Sequence, residues 1–211
     1  MAEYFRFFNS SEGDPREYTA SEFAEYFSQF LSDGLYAQDG NAGLKVTAGT
    51  GLNIKIAPGY AFVRGYLYKN DATINIALDP ADSMLNRIDR VVLRFDEVAR
   101  EIKVALKKGT FSSTPQPPVV VISDTVRELT LAQVKIKAGA TGLTAADITD
   151  ERLTDKCGLV ELLASIPFSD MMDQWNEWFQ GRQNETGGRV FGGATEPAEM
   201  IAGDLWLKEL V

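Results

Sequence analysis

Few side chains in this 211-residue chain could do chemistry, and their spacing points away from catalysis. The densest acidic group is Asp147-Ile148-Thr149-Asp150-Glu151-Arg152, with Asp155 close behind. Carboxylates packed this closely could hold calcium or form an acid–base pair. The run lacks the alternating ligand register and central glycine of a calcium loop. It reads more simply as local structure: Thr144 or Asp147 caps a turn, and the other carboxylates pair with arginines such as Arg87 and Arg90. Arg87-Ile88-Asp89-Arg90 alternates in sign and reads as an ion-pair network, not an anion site. Histidine is absent. Its absence removes the commonest general base, the Ser-His and Cys-His nucleophile pairs and most transition-metal sites. Cys157, the single cysteine, has no activating base and reads as a buried structural thiol. No serine sits in a nucleophile elbow, and neither Gly139-Ala140-Thr141-Gly142 nor Gly187-Gly188 forms a phosphate-cradling loop. A glycosidase needs only two acids, but no such pair is marked here. The expectation is a non-enzymatic chain with no catalytic residues, metal ligands or cofactors.

The aromatic residues are more informative. Phe168, Met171, Met172, Trp175, Trp178 and Phe179 recur at helical spacing, and two of the three tryptophans lie on this one element. Pro167 suits a first helical turn, and Asp170 and Asp173 sit where the helix dipole favours negative charge. So wide an apolar stripe predicts burial, against a copy of itself or a partner, or back onto its own sandwich, and self-association is the expected outcome. A second stripe, Phe23, Tyr26, Phe27 and Phe30, follows the capping box Thr19-x-x-Glu22. Gly34 is the expected stop of that helix. Its face is open to two readings, packing in its own core or docking on a partner. Tyr60, Phe62, Tyr66 and Tyr68 could form a sugar platform, although strand-face aromatics more often pack in a core.

The elements that must position these residues are mostly strands. Tyr4-Phe5-Arg6-Phe7-Phe8 reads as a short strand. From Leu44 the pattern alternates, with Leu44–Val46 and Leu52–Ile56 flanking a turn at Ala48-Gly49-Thr50-Gly51. Tyr60–Val63 and Tyr66–Tyr68 flank a bend or bulge at Arg64-Gly65. Thr73–Leu78 is another strand. Arg90–Phe95 is apolar on both faces and is expected at the centre of a sheet. Ile102–Lys107 returns from it as a hairpin. Thr114–Pro118 is an extended connection, and Val119–Ile122 and Glu128–Ile136 are further apolar segments. The pattern predicts a mainly β fold: an antiparallel β-sandwich, or a barrel, with an N-terminal amphipathic helix and a C-terminal oligomerisation helix. The expected parts are a strand and helix over 1–40, the sandwich over 41–158, the helical segment over 159–183, and a linker with the start of a tail module over 184–211.

Net charge is −9, which argues against a nucleic-acid backbone as partner. No apolar run approaches the roughly 18 residues of a membrane helix, so no membrane association is expected. Met1–Arg6 has neither a basic leader nor an apolar core, so no secretory signal is expected.

The order of segments carries a resemblance. Tyr4–Ser10, Thr19–Phe27, Gly59-Tyr60-Ala61-Phe62-Val63-Arg64-Gly65-Tyr66-Leu67-Tyr68, Asn86-Arg87-Ile88-Asp89-Arg90-Val91-Val92-Leu93-Arg94-Phe95-Asp96 and Asp147–Arg152, closing at Cys157-Gly158, follow one another over residues 1–160. This resembles baseplate and tail-tip structural proteins of tailed phages and prophages of Gram-positive bacteria, of the upper-baseplate or receptor-binding-protein shoulder type. The resemblance implies a sandwich adaptor, located in the virion tail after synthesis in the host cytoplasm. Its partners would be other baseplate proteins and copies of itself, gathered into trimers by a helix that falls at Leu159–Arg182. Direct binding of host cell-wall saccharide is the alternative function. Ala194–Leu207 reads as the start of a small tail module of the form Pro…Gly-Asp-x-Trp.

Overall fold

The computed structural model describes residues 3–38, 40–163, 172–178 and 190–193, together with 195, 198 and 205–208. The chain divides into two compact units, Met1–Ala164 and Ser165–Val211.

In the first unit, helix α1 (Ala20–Ser28) precedes β1 (Gly34–Leu35), β2 (Ala37–Gln38), β3 (Asn41–Ala42), β4 (Val46–Ala48), β5 (Asn53–Ile56), β6 (Gly59–Val63), β7 (Tyr66–Asn70), β8 (Ile74–Ala77), β9 (Arg87–Asp96), β10 (Glu101–Lys107), β11 (Val126–Ile136) and β12 (Ile148–Asp150). The fold is mainly β. Three antiparallel sheets run in the orders β1-β6-β7, β4-β5-β8 and β10-β9-β11-β12. One apolar cluster draws on all three: Leu35 and Val63 from the first, Ile54 and Ile56 from the second, and Val91, Leu93, Leu129 and Ile136 from the third.

Arg90–Phe95 is central, as its two-faced apolar pattern predicts. β9 lies between β10 and β11, and Val91, Val92 and Leu93 are fully buried. Its core face carries Val91, Leu93 and Phe95. The opposite face carries Arg90, Val92 and Arg94, because side chains alternate along a strand. β11 obeys the same rule until its register shifts between Thr130 and Ala132, a bulge that lets both Leu131 and Ala132 reach the core. Beyond it Val134 and Ile136 are buried while Lys135 is exposed.

The hairpin expected around Ala48–Gly51 forms between β4 and β5. The bend at Arg64-Gly65 is a two-residue hairpin turn, with Val63 paired to Tyr66 and φ of 50° and 83° at the turn residues. Positive φ at both centres suits the twist of the flanking strands. Tyr4–Phe8 departs from expectation: it forms no strand, and Phe7 takes a left-handed φ of 69°. Helix α1 also stops earlier than Gly34. It ends at Ser28, and Gly34 already begins β1. That glycine meets a spatial demand: a Cβ there would lie 2.5 Å from the carbonyl carbon of Leu159.

The outward face of the β9 sheet is charged and covered. The extended connection over residues 114–123 crosses it. Arg90 donates to the carbonyl of Pro118, Lys107 donates to that of Val119 at 2.6 Å, and Glu128 N–H donates to that of Val121 at 3.1 Å. Beneath this strap Glu128 accepts from Arg94 (3.0 Å), Lys107 (2.6 Å) and Val121 N–H (2.7 Å). Burial pushes the Glu128 carboxyl up, but these three donors outweigh it and hold its pKa below the usual value.

In the second unit residues 172–178 form a helix. β13 (Val190–Gly193) and β14 (Leu205–Lys208) pair in parallel, with Phe191 opposite Trp206. Phe168, Met171 and Phe179, from the stripe expected to drive self-association, lie outside the described residues. Among the described residues no helix is long and apolar enough to cross a membrane.

Two outcomes follow. Leu93→Asp places an unpaired charge in the shared core and should abolish folding, since such burial costs several kcal/mol; a cooperative melt near the wild-type temperature would refute the core assignment. Asp147, nearly buried, pairs with Lys137 (2.6 Å) and accepts from the Thr144 hydroxyl (2.7 Å) and Thr144 N–H (2.9 Å), which lowers its pKa from 3.8 to about 2. A depressed folded pKa adds stability above the unfolded value and loses it as pH falls from about 4 to 2. Asp147→Asn should therefore cost roughly 1 to 2 kcal/mol at neutral pH and flatten the acid limb of a urea-melt pH series.

Candidate interaction surface

Among the described residues, most of the groups that could do chemistry are engaged in holding the fold. Asp147 caps the turn at Thr144, as read from the sequence, and Asp150 pairs with Arg152 at 2.7 Å. Glu151 takes Arg90 in a two-pronged pair of 2.9 and 3.0 Å and also accepts from Gln133 at 2.7 Å. Arg87, fully buried, bonds Asp89 at 2.9 Å, reaches the carbonyls of Asp79 and Pro80, and lies over the Phe111 ring at 4.8 Å. Asp89 also accepts from Gly109 N–H at 2.8 Å. Cys157 is buried, and burial pushes its thiol up to about 12, far from a reactive thiolate. Among the described residues no three acid or thiol groups converge on a metal position.

The surface that remains unexplained by the fold is aromatic. In α1 the Thr19 hydroxyl accepts from Glu22 N–H at 3.3 Å, and the Glu22 carboxylate accepts from Thr19 N–H at 2.7 Å. This capping box fixes the helix start. Ala24 is the buried residue of α1. Its backbone lies over Gly65, where an added Cβ would be 1.9 Å from the Ala24 oxygen. A small residue above a glycine lets helix and hairpin turn meet. Asp33 then locks the arrangement, accepting from Arg64 N–H at 2.7 Å and from Arg127 at 2.9 Å. So α1 rests on the sheet through its smallest side chain and turns its larger ones elsewhere. Phe23, Tyr26, Phe27 and Phe30 stay 41–47% exposed.

The N-terminal segment adds to this face. Arg6 reaches Glu22 at 3.1 Å and Glu25 at 2.5 Å, pinning the segment along the helix. The left-handed backbone at Phe7 then turns its ring into an aromatic cluster, with centroids 5.1 Å from Tyr18, 4.9 Å from Phe23 and 5.1 Å from Tyr26. Tyr26 continues to Phe30 at 5.1 Å. Tyr18 hydroxyl accepts from Phe8 N–H and donates to the Phe8 carbonyl. Phe5 and Phe8 meet edge to face and remain exposed.

The end of the first unit extends the patch. Leu159–Leu163 lies beside residues 30–35: Leu35 N–H bonds the Gly158 carbonyl, Val160 N–H bonds that of Leu35, Ser32 N–H bonds that of Glu161, and Leu163 N–H bonds that of Phe30. Leu162 and Leu163 are exposed there. In the second unit Met172, Trp175 and Trp178 are exposed on their helix, the two indoles 5.1 Å apart.

Comparison with protein-family models, curated proteins and solved structures finds nothing that matches this chain.

Sequence spacing identified the α1 stripe but missed Phe5, Phe7 and Phe8, whose run suggested a strand. The available signal was their lack of alternation: four of five positions from Tyr4 to Phe8 are aromatic. Tyr66 and Tyr68 pack against the core cluster, while Tyr60 is partly buried under Lys69.

Gly65→Ala should lift α1 from its seat, at a cost of about 1 to 3 kcal/mol from strain and overlap. Hydrogen exchange should then speed up at α1 amides and stay unchanged at β9 amides. Equal protection of α1 in both proteins would refute the contact.

Proposed function

We propose that this chain is a non-enzymatic structural adaptor of a phage tail baseplate, which works by assembling with copies of itself and with other tail proteins. The observation that carries the reading is the exposed aromatic face of α1 and the N-terminal segment. Isolated surface apolar groups need no explanation, but a contiguous aromatic patch marks a binding surface. Burying one large side chain contributes about 1.5 to 3 kcal/mol, so a handful of such rings can meet the cost of association. The order of segments quoted above supports the baseplate assignment, with the virion tail as its place.

On this reading the three sheets form the layers of an antiparallel β-sandwich, with α1 on its flank. The element carrying Met172, Trp175 and Trp178 gathers three chains, and the face of Phe23, Tyr26, Phe27 and Phe30 docks on a neighbouring tail protein. No cofactor, nucleic acid or membrane enters the reading. A cleft of about 520 Å³ lined by Tyr66, Tyr68, Phe95 and Arg100 supports the alternative, direct binding of cell-wall saccharide.

The mass of the full chain in solution tests the proposal. The expected value is three times 23.2 kDa. Trp175→Ser combined with Trp178→Ser should give a monomer with an unchanged first melting transition. A wild-type chain that stays monomeric at high concentration, or a double variant that stays trimeric, would overturn it. Binding of wall polysaccharide by the isolated chain, lost in Tyr68→Ala, would favour the alternative.

A further inference from the structure

The proline-rich strap over the β9 sheet is anchored at both ends. Ser112 N–H bonds the Asn86 carbonyl at 2.9 Å, and Ser123 N–H bonds that of Val126 at 2.9 Å. Arg64 strengthens the second anchor by donating to the carbonyls of Ser123 and Asp124. Between these anchors residues 113–122 contain no Asp, Glu, Lys or Arg. None of them is buried, and none belongs to the shared apolar cluster. Val119 is 83% exposed and Ile122 65% exposed, so closing the strap removes little apolar surface from water.

Polar contacts hold the strap down instead, and they converge on Glu128. Its carboxylate takes Val121 N–H at 2.7 Å together with Lys107 at 2.6 Å and Arg94 at 3.0 Å. Lys107 in turn donates to the Val119 carbonyl at 2.6 Å. The Glu128 backbone N–H donates to the Val121 carbonyl at 3.1 Å. Arg90, whose carboxylate partner is Glu151, adds one bond to the Pro118 carbonyl. Among the described residues no other carboxylate bonds residues 113–122.

The covered face works against closure. Thr130 pairs with Val92, between the Arg94–Glu128 row and Arg90, so the strap that bonds Glu128 and Arg90 passes over it. Thr130 is fully buried, and among the described residues its hydroxyl has no hydrogen-bond partner. A buried hydroxyl without a partner is destabilising, and water satisfies it once the cover lifts. Glu128 is 2% exposed, and burial disfavours its charge. The fit is also loose. A space of about 570 Å³ is walled by Gln116, Val119 and Ile122 of the strap and by Arg90 and Glu128 of the sheet.

We propose that residues 113–122 are a lid that opens from the β9 sheet without unfolding it, and that the ionised carboxylate of Glu128 is the latch that keeps it shut. The charges that meet Glu128 are Lys107 and Arg94, the latter shared with Asp96. Arg90, Arg127, Lys156 and Asp155 line the adjoining space, with Arg90 held by Glu151 and Arg127 by Asp33. The lid itself brings no charge. Its donors hold the Glu128 pKa below the usual glutamate value. The latch is therefore complete above that value and is lost as pH falls through the lower, folded one. This inference does not depend on the baseplate reading.

The test is amide hydrogen exchange on the full ¹⁵N-labelled chain, read at the Val121 and Glu128 amides for the lid and at β9 amides for the sheet. At neutral pH the lid amides should be protected, yet open at least about tenfold more often than the most protected β9 amides. After correction for intrinsic rates, their protection should fall before that of β9 as pH is lowered through the carboxylate range. Glu128→Gln should reproduce that loss at neutral pH, by about tenfold or more. Val121→Pro deletes the lid N–H that the carboxylate accepts and leaves every sheet side chain in place, so it should speed exchange at the Glu128 amide in the same way. If Glu128→Gln does not fold, the wild-type pH series and Val121→Pro decide. The proposal is overturned if lid and β9 amides share one opening equilibrium at every pH, which would make the strap part of the sheet. It is also overturned if the lid amides are unprotected at neutral pH, or if the folded variants keep wild-type protection there.

Discussion

Arg90 and Glu151 meet beneath the strap, each more than nine-tenths buried, and most of the first unit is arranged around that meeting. Removing two charges from water is costly, and the cost is offset only when every lone pair and proton finds a partner. Here the guanidinium grips both carboxylate oxygens, Gln133 adds a third donor, and the Pro118 carbonyl takes a remaining proton. Four pieces of chain are thereby drawn to one point: β9, β11, the residues after β12, and the proline-rich connection. Loss of either partner would leave a bare buried charge, at about 3 to 5 kcal/mol.

Position propagates outward from this pair. Glu151 N–H bonds the Leu131 carbonyl at the bulge of β11, and its own carbonyl accepts from the Thr154 hydroxyl. Thr154 and Cys157 close the next turn, which delivers Gly158–Leu163 alongside residues 30–35. Gly34 admits that close approach, and Asp33 ties the same stretch to Arg64 and Arg127. The exposed faces of α1 and of Leu162 and Leu163 therefore sit on a rigid frame. A surface held this way would lose less conformational entropy in the association proposed above.

What could be read from the sequence follows the physics of period and charge. β9 was legible because its apolar run has no wet face, and α1 was legible because its cap and its spacing agree. The ion-pair reading holds for Arg90 with Glu151 and for Arg87 with its neighbour Asp89, but the acidic run does not meet Arg87: Asp147 pairs with Lys137 and Asp150 with Arg152. Three features were not legible. Phe7 is left-handed because tertiary contacts with Tyr18, Phe23 and Tyr26 override its local preference. The end of α1 depends on where β1 must begin, which is a long-range constraint. The extended course of Leu159–Leu163 beside residues 30–35, where a helical segment was expected, likewise depends on long-range pairing that leaves no local trace in side-chain type.

The interior charges serve the fold, while the aromatic rings of α1 and the indoles of Trp175 and Trp178 stay exposed in the single chain. The central claim is that the exposed aromatic rings become buried when chains assemble. Tryptophan emission across a concentration series measures this directly, because Trp175 and Trp178 are 55% and 52% exposed in the single chain. The account predicts a shift to shorter wavelength in step with the rise in mass. An emission maximum that stays constant from dilute to concentrated chain, with monomer mass throughout, would contradict it.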